Sequence, residues 1–197
     1  MKFLSIVFLY SLCILGCTNN NPRTHKEGNA SPYKKSNEKL IFFPVTSFIK
    51  GEIASIKQAG INPWIVTIAN GKKDSVWLKV EDFSAAFAPY LTPEIDSSNL
   101  IDNYKETSFL DQTICTYTFL YEPSKQLPGT FSLRRWDVYI DQQSNKVQRI
   151  YMQKQWGDTI QHLTWLAGKW AKTISMLTKN NEDIQLRETT IHWNFDE

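Results

Sequence analysis

Residues 159–179, TIQHLTWLAGKWAKTISMLTK, hold two runs of alternating character, 159–166 and 169–179, with only Ala167-Gly168 between them. Apolar and polar side chains alternating with a period of two mark a strand with one buried face. A connection this short cannot carry a crossover, so the two strands are expected as antiparallel neighbours. In the second run Trp170, Ile174 and Met176 share a face with Lys172, whereas Lys169, Ala171, Thr173 and Ser175 make the other face mostly polar. That pattern predicts a core-facing Trp170.

The same period extends outward. Strands are expected at 112–121, 130–141, 146–156 and 183–195, separated by Pro123 to Gly129, QQSN, Gly157-Asp158 and KNNE. Two of them change parity. Phe131 and Leu133 are odd-numbered but Trp136, Val138 and Ile140 even, with Arg134-Arg135 at the switch, and Ile184 and Leu186 give way to Ile191, Trp193 and Phe195. Each change predicts a bulge that curves the sheet. Toward the N-terminus, Val45, Phe48, Ile49, Ile53 and Ile56 fall at helical spacing, with Thr46 or Ser47 to cap the start and Gly60 to stop it, giving a helix at about 46–58. Asn70-Gly71 between two short apolar runs signals a hairpin. Val80, Phe83, Ala86, Phe87 and Tyr90 form a second helical face, and TPEIDSSNLIDNY allows a further short helix. The expected fold class is α+β: N-terminal helices packed on a curved, mainly antiparallel β-meander of about five to six strands, in a single domain over 40–197.

Phe3 to Leu15 carry no charge, and Lys2 precedes them. As a helix this run would rise roughly 20 Å against a hydrocarbon core of about 30 Å, too little to span. It reads as an export signal over 1–16. Ile14-Leu15-Gly16-Cys17 resembles the lipobox of bacterial lipoproteins, with Leu15 where that family usually carries Ala or Ser. The resemblance implies cleavage before Cys17 and acylation of that residue, so lipidation at Cys17 is expected. Residues 17–39 are nearly devoid of large apolar side chains and read as a disordered tether, with a reach of roughly 25 Å. The lipobox, the Asn-rich tether and the Lys- and Asn-rich β domain together look like the uncharacterised envelope lipoproteins of Bacteroidota. The absence of acidic residues directly after Cys17 points to an outer-membrane anchor facing the periplasm, and no functional residue beyond Cys17 is implied.

Within 18–39 there are five basic residues against two acidic, whereas 40–197 carry 16 basic and 18 acidic; with Lys2 these give the chain's net charge of +2. The basic excess lies beside the expected lipid, and the domain has no overall positive field, so nucleic acid is not an expected partner. Cys115 is the one thiol left after signal removal and lipidation, and its place in QTICTYTFLY predicts a buried strand cysteine.

His162 and His192 are the domain's two histidines, each beside a Trp in an expected strand, and neither HxH, HExxH nor a Cys pair accompanies them. No metal site and no cofactor is expected. Glu81, Asp82, Asp96, Asp102, Asp111, Asp137 and Asp141 supply carboxylates without a spacing that fixes a mechanism. Of the seven tryptophans, Trp136, Trp156, Trp165, Trp170 and Trp193 lie in the meander. They are the candidate ligand- or partner-binding residues, since Trp joins apolar area to a polar handle, although packing of the sheet against helices uses the same residues. The expected role is a non-enzymatic binding or scaffolding module for an envelope protein. The alternatives are a carrier of an apolar, lipid-like ligand between sheet and helices, and a hydrolase using His162 or His192.

Overall fold

A computed structural model describes residues 41–179 and 182–195. The expectations for the signal, Cys17 and the tether lie outside them. The chain runs α1 (Val45–Gln58), β1 (Trp64–Ala69), β2 (Lys72–Trp77), a 3₁₀ turn at Val80–Asp82, α2 (Phe83–Leu91), β3 (Tyr104–Asp111), β4 (Thr116–Pro123), β5 (Leu133–Asp141), β6 (Val147–Trp156), β7 (Thr159–Leu166), β8 (Trp170–Lys179) and β9 (Glu182–His192). All nine strands form one antiparallel sheet in the order β2-β1-β9-β8-β7-β6-β5-β4-β3.

This corrects the expected fold class. Among the described residues the strands number nine rather than five to six, and the two short helices there do not form an N-terminal block, because α2 follows the first hairpin. The first half of the domain supplies three strands that the period-two reading omitted from the sheet. β1 pairs with β9, β2 with β1, and β3 with β4, so the last strand of the meander joins the first hairpin.

Local chemistry explains most of the elements. In α1, Val45, Ile49, Ile53 and Ile56 form the buried stripe, and Gly60 at φ +67° follows the helix end. Pro44 takes the N-cap position without a side-chain cap bond; Thr46 instead uses its Oγ1 to accept from the Ile95 amide at 2.8 Å. The Asn70-Gly71 turn has both residues at positive φ, +51° and +71°, the geometry whose twist matches a two-residue hairpin. Residues 92–103 make turns rather than a third helix. There Asp96 Oδ1 accepts the Ser98 and Asn99 amides, both at 2.7 Å, a local competitor to helical bonding. Those bonds hold the exposed Asp96 carboxyl below the usual range. The strand expected from residue 112 starts at Thr116, because 112–115 are the β3–β4 turn. Cys115 is therefore exposed at φ +50°, not buried in a strand.

Both parity changes correspond to bulges. Leu133 pairs with Lys154 and Arg135 with Gln153, leaving Arg134 extra, and Ser175 pairs with Arg187 and Met176 with Gln185, leaving Leu186 extra. A third irregularity sets Gln148 apart in β6.

The helices cover one face of the sheet. Phe42, Phe83, Phe87, Tyr90, Trp136 and Trp165 fill the space between the layers, each no more than 2% exposed. Trp136 stacks on Tyr121 at 4.7 Å, while Trp165 meets Phe87 and Tyr90 at 5.5 Å and Trp193 at 4.8 Å. In β8 the face turned to this core carries Ala171 and Thr173, the reverse of the expectation. Ala171 lies opposite Trp165 and Ile191, where a small side chain leaves room for the indole, and Thr173 bonds the Tyr90 hydroxyl at 2.8 Å. Lys154, only 2% exposed, donates from Nζ to the carbonyls of Pro89 and Thr92 at the end of α2.

Candidate functional site

The five tryptophans named from sequence do not form one surface. Trp136, Trp165 and Trp193 belong to the core at 0%, 0% and 5% exposure. Trp156 is exposed where β6 turns into β7. Trp170 lies half-buried on the opposite, open face, with the Lys172 ammonium 5.9 Å from its ring. The indole nitrogens of Trp136 and Trp165 are buried without a hydrogen-bond partner in the structure. The histidines both reach the open face but do not meet. His192 is aligned with Trp170 and, through it, Leu166, four residues beyond His162 along β7. Strand geometry puts their Cα atoms about 16 Å apart.

What the open face does assemble is a polar cluster over β5, β6 and β7. Alternation sends Arg135, Asp137 and Tyr139 outward from β5, and the register sets Arg135 opposite Gln153, Asp137 opposite Tyr151 and Tyr139 opposite Arg149 on β6. Tyr151 in turn faces Thr164 on β7. Arg135, Asp137, Tyr139, Arg149, Tyr151 and Thr164 line a recess of about 300 Å³. The Arg134 bulge is what allows Arg135 to share a face with Asp137 while Leu133 remains in the core.

Asp137 is the buried centre of this cluster at 2% exposure. Its Oδ2 accepts from Arg135 Nη2 at 2.7 Å and from the Tyr139 hydroxyl at 3.3 Å, while Oδ1 and Arg135 Nε are buried without a hydrogen-bond partner. The second guanidinium, Arg149, lies over the Tyr139 ring with its carbon 3.9 Å from the centroid. Among the described residues no carboxylate lies within ion-pair distance of it. The Tyr151 hydroxyl shares a 2.6 Å hydrogen bond with His162 Nδ1, and Arg135 lies 5.5 Å from the Tyr151 ring. Lys172 and Glu188 form a self-contained 2.9 Å pair farther along the sheet.

The electrostatics follow. The hydrogen bond that Arg135 donates to Asp137 holds the guanidinium firmly charged. Burial raises the Tyr139 phenol, and the Asp137 charge adds to this while Arg149 opposes it. Burial likewise raises Tyr151, with Arg135 pulling the other way. Both phenols stay neutral donors. Glu122 on β4 adds a second carboxylate charge that acts on Arg135, so both carboxylates bear on Arg135, and among the described residues none lies within ion-pair distance of Arg149. As a hydrolase reading requires, a histidine and a carboxylate share this face. They are bonded to different tyrosines, however, and the hydroxyl beside them, Thr164, has neither as a partner in the structure. Among the described residues no group of three His, Cys, Asp or Glu is placed to hold a metal ion.

Sequence reasoning named Asp137 and His162 but not the arginines or tyrosines. The signal was present in RRWDVYID and QRIYMQ, where Arg135, Asp137 and Tyr139, and then Arg149 and Tyr151, occupy the polar parity of two adjacent strands. Only the register converts those two rows into one site.

A second feature of the open face is an aromatic edge. Trp64 and Trp77 are register partners with rings 4.6 Å apart, and Phe195 lies 5.9 Å from Trp77; Trp77 is 56% exposed and Phe195 55%. Comparison of the chain with family models, with curated proteins and with solved structures gives no match. The class defined here is thus a one-sheet antiparallel domain with helices on one face and a polar recess on the other.

Proposed function

We propose that the chain is a lipid-anchored envelope lipoprotein, held through Cys17 at the outer membrane on its periplasmic side, and that it works as a non-enzymatic binding module whose recognition surface is the open face of the sheet. The observation that carries the binding reading is the recess around Asp137, where Arg149 has its guanidinium over the Tyr139 ring but no carboxylate partner among the described residues. Buried polar networks of this kind are costly unless they orient something, and here they hold two arginines and two tyrosine hydroxyls around one opening. The exposed rings of Trp77 and Phe195 add apolar area on the same face, as a partner surface requires. An apolar-ligand carrier would need the space between sheet and helices that Phe42, Phe87, Trp136 and Trp165 occupy. Acylation of Cys17 rests on the lipobox resemblance, and two acyl chains suffice for stable anchoring.

Two experiments test this. Cys17→Ala is expected to move the chain from the membrane fraction to the soluble one and to leave the precursor uncut; unchanged fractionation would overturn the anchor. A photo-crosslinking side chain at position 164 in cells is expected to capture an envelope component, with capture lost in Arg149→Glu. Capture that is absent, or indifferent to Arg149, would overturn the binding surface.

A further inference from the structure

We propose that the recess between β5, β6 and β7 binds a small organic oxyanion, a carboxylate or a phosphate ester, with the edge of the Arg149 guanidinium as its primary partner. This deepens the binding reading above and rests on it. Four observations converge on the ligand class.

The first is charge. Asp137 is the one carboxylate lining the recess, and it is engaged by Arg135 at 2.7 Å and lies beneath the surface at 2% exposure. Among the described residues no carboxylate lies within ion-pair distance of Arg149, in a domain whose formal charge over residues 40–197 is slightly negative. Glu122 and Asp137 both act on Arg135, so the guanidinium left for a ligand is that of Arg149, a local feature rather than part of a general basic surface.

The second is orientation. The Arg149 guanidinium carbon lies 3.9 Å from the Tyr139 ring centroid and one of its N–H groups bonds the Tyr139 hydroxyl, which leaves its remaining N–H groups for other acceptors. Oxyanions match a guanidinium edge with two parallel hydrogen bonds, which a halide cannot reproduce.

The third is preorganisation. Asp137 fixes Arg135 and the Tyr139 hydroxyl, and His162 fixes the Tyr151 hydroxyl at 2.6 Å, so the donors around Arg149 are held before a ligand arrives. Asp137 Oδ1 and Arg135 Nε are also buried without partners in the structure. Of these, the Arg135 Nε–H is a donor that an oxyanion can satisfy, whereas Asp137 Oδ1 accepts and needs a donor such as water.

The fourth is size. A volume of about 300 Å³ lies at the small end of ligand sites, equivalent to roughly ten waters at about 30 Å³ each. It suits a small acid, or the acidic group of a larger molecule, rather than a length of polymer.

The test follows the arginine side-chain Nε–Hε resonances of the full chain bearing Cys17→Ala, titrated with sodium phosphate and separately with sodium acetate, at ionic strength held constant with sodium chloride. The Arg149 resonance is expected to shift in a saturable way with at least one of the two anions. Arg149→Gln should weaken that binding at least tenfold. Arg149→Lys should recover part of it, Thr164→Val should weaken it severalfold, and Lys50→Gln, on helix α1 and paired with Glu94, should leave it unchanged. Shifts no larger than those with chloride alone would overturn the proposal, as would equal binding by Arg149→Gln. The wild-type titration decides the matter even if a variant fails to fold. Vesicles containing phosphatidylglycerol form a further arm: competition with phosphate at Arg149 identifies a lipid headgroup as the source of the oxyanion, and lack of competition a free acid. If the anions fail while crosslinking from position 164 persists, the ligand class falls and the binding surface stands; if both fail, the binding reading falls with it.

Discussion

A lysine ammonium at 2% exposure needs a partner, and Lys154 finds one in the carbonyls of Pro89 and Thr92 where α2 ends. Carbonyls at a helix C-terminus lack helical donors and carry partial negative charge, so the lysine ties α2 to the sheet. Lys154→Met is expected to cost about 1–3 kcal/mol in chemical denaturation, because it leaves buried acceptors unpaired. Burial lowers the Lys154 pKa from 10.5 to about 8. Between those values the unfolded chain holds the extra proton, so unfolding free energy rises with pH across that window and the burden of burying a charge is greatest below it. Denaturation at pH 7.5 and pH 10 should show this rise in the native chain and lose it in Lys154→Met. The tryptophans divide at the same scale. Trp136→Ala, at 0% exposure, should cost about 3–5 kcal/mol, whereas Trp156→Ala, at 51%, should stay within about 0.5 kcal/mol. Cys115 lies in an exposed turn, so a maleimide added to folded protein should modify its peptide, as read by mass spectrometry. None of these placements was legible from composition. A lysine in MQKQW reads as a solvated strand residue until the helix end above it is known.

Among the elements, those with buried stripes or a turn signal were legible, the β1–β2 hairpin included, whereas the edge strand β3 and the place of that hairpin in the sheet were not. The α1 stripe and the Asn70-Gly71 turn carry their signals in side chains that packing or φ demands. Gly71→Ala puts a Cβ at φ +71° and should cost about 1–2 kcal/mol, measurable as a lowered denaturation midpoint. In contrast, β2 is exposed along its whole length, and of the residues in β3 only Tyr104 is buried. An edge strand pairs on one side and packs little, so its sequence owes nothing to period two. The inversion in β8 has a different cause. Its core face is small and polar because Trp165 from β7 and Tyr90 from α2 fill the space, so hydrophobicity within one strand misidentifies the buried side.

On the scale of the molecule, the sheet separates two roles. The face under the helices is tightly filled with aromatic rings, and the opposite face gathers Arg135, Asp137, Tyr139, Arg149 and Tyr151 near its middle, where strands on both sides restrain the backbone. That gathering needs three strands in register, which no single stretch of sequence states. Pairing of β1 with β9 has its own consequence. A chain cut before residue 182 would leave β1 and β8 each with one open edge, and it is expected to lose cooperative unfolding in circular dichroism. The partners Trp64 and His192 are 128 residues apart, so a chain emerging N-terminus first presents WIVTIA long before β9, which pairs with its second edge. During that interval the segment is a sticky, β-prone ribbon among other emerging chains. The order in which the strands arrive thus makes this domain a natural client for a holdase until its last strand is in place.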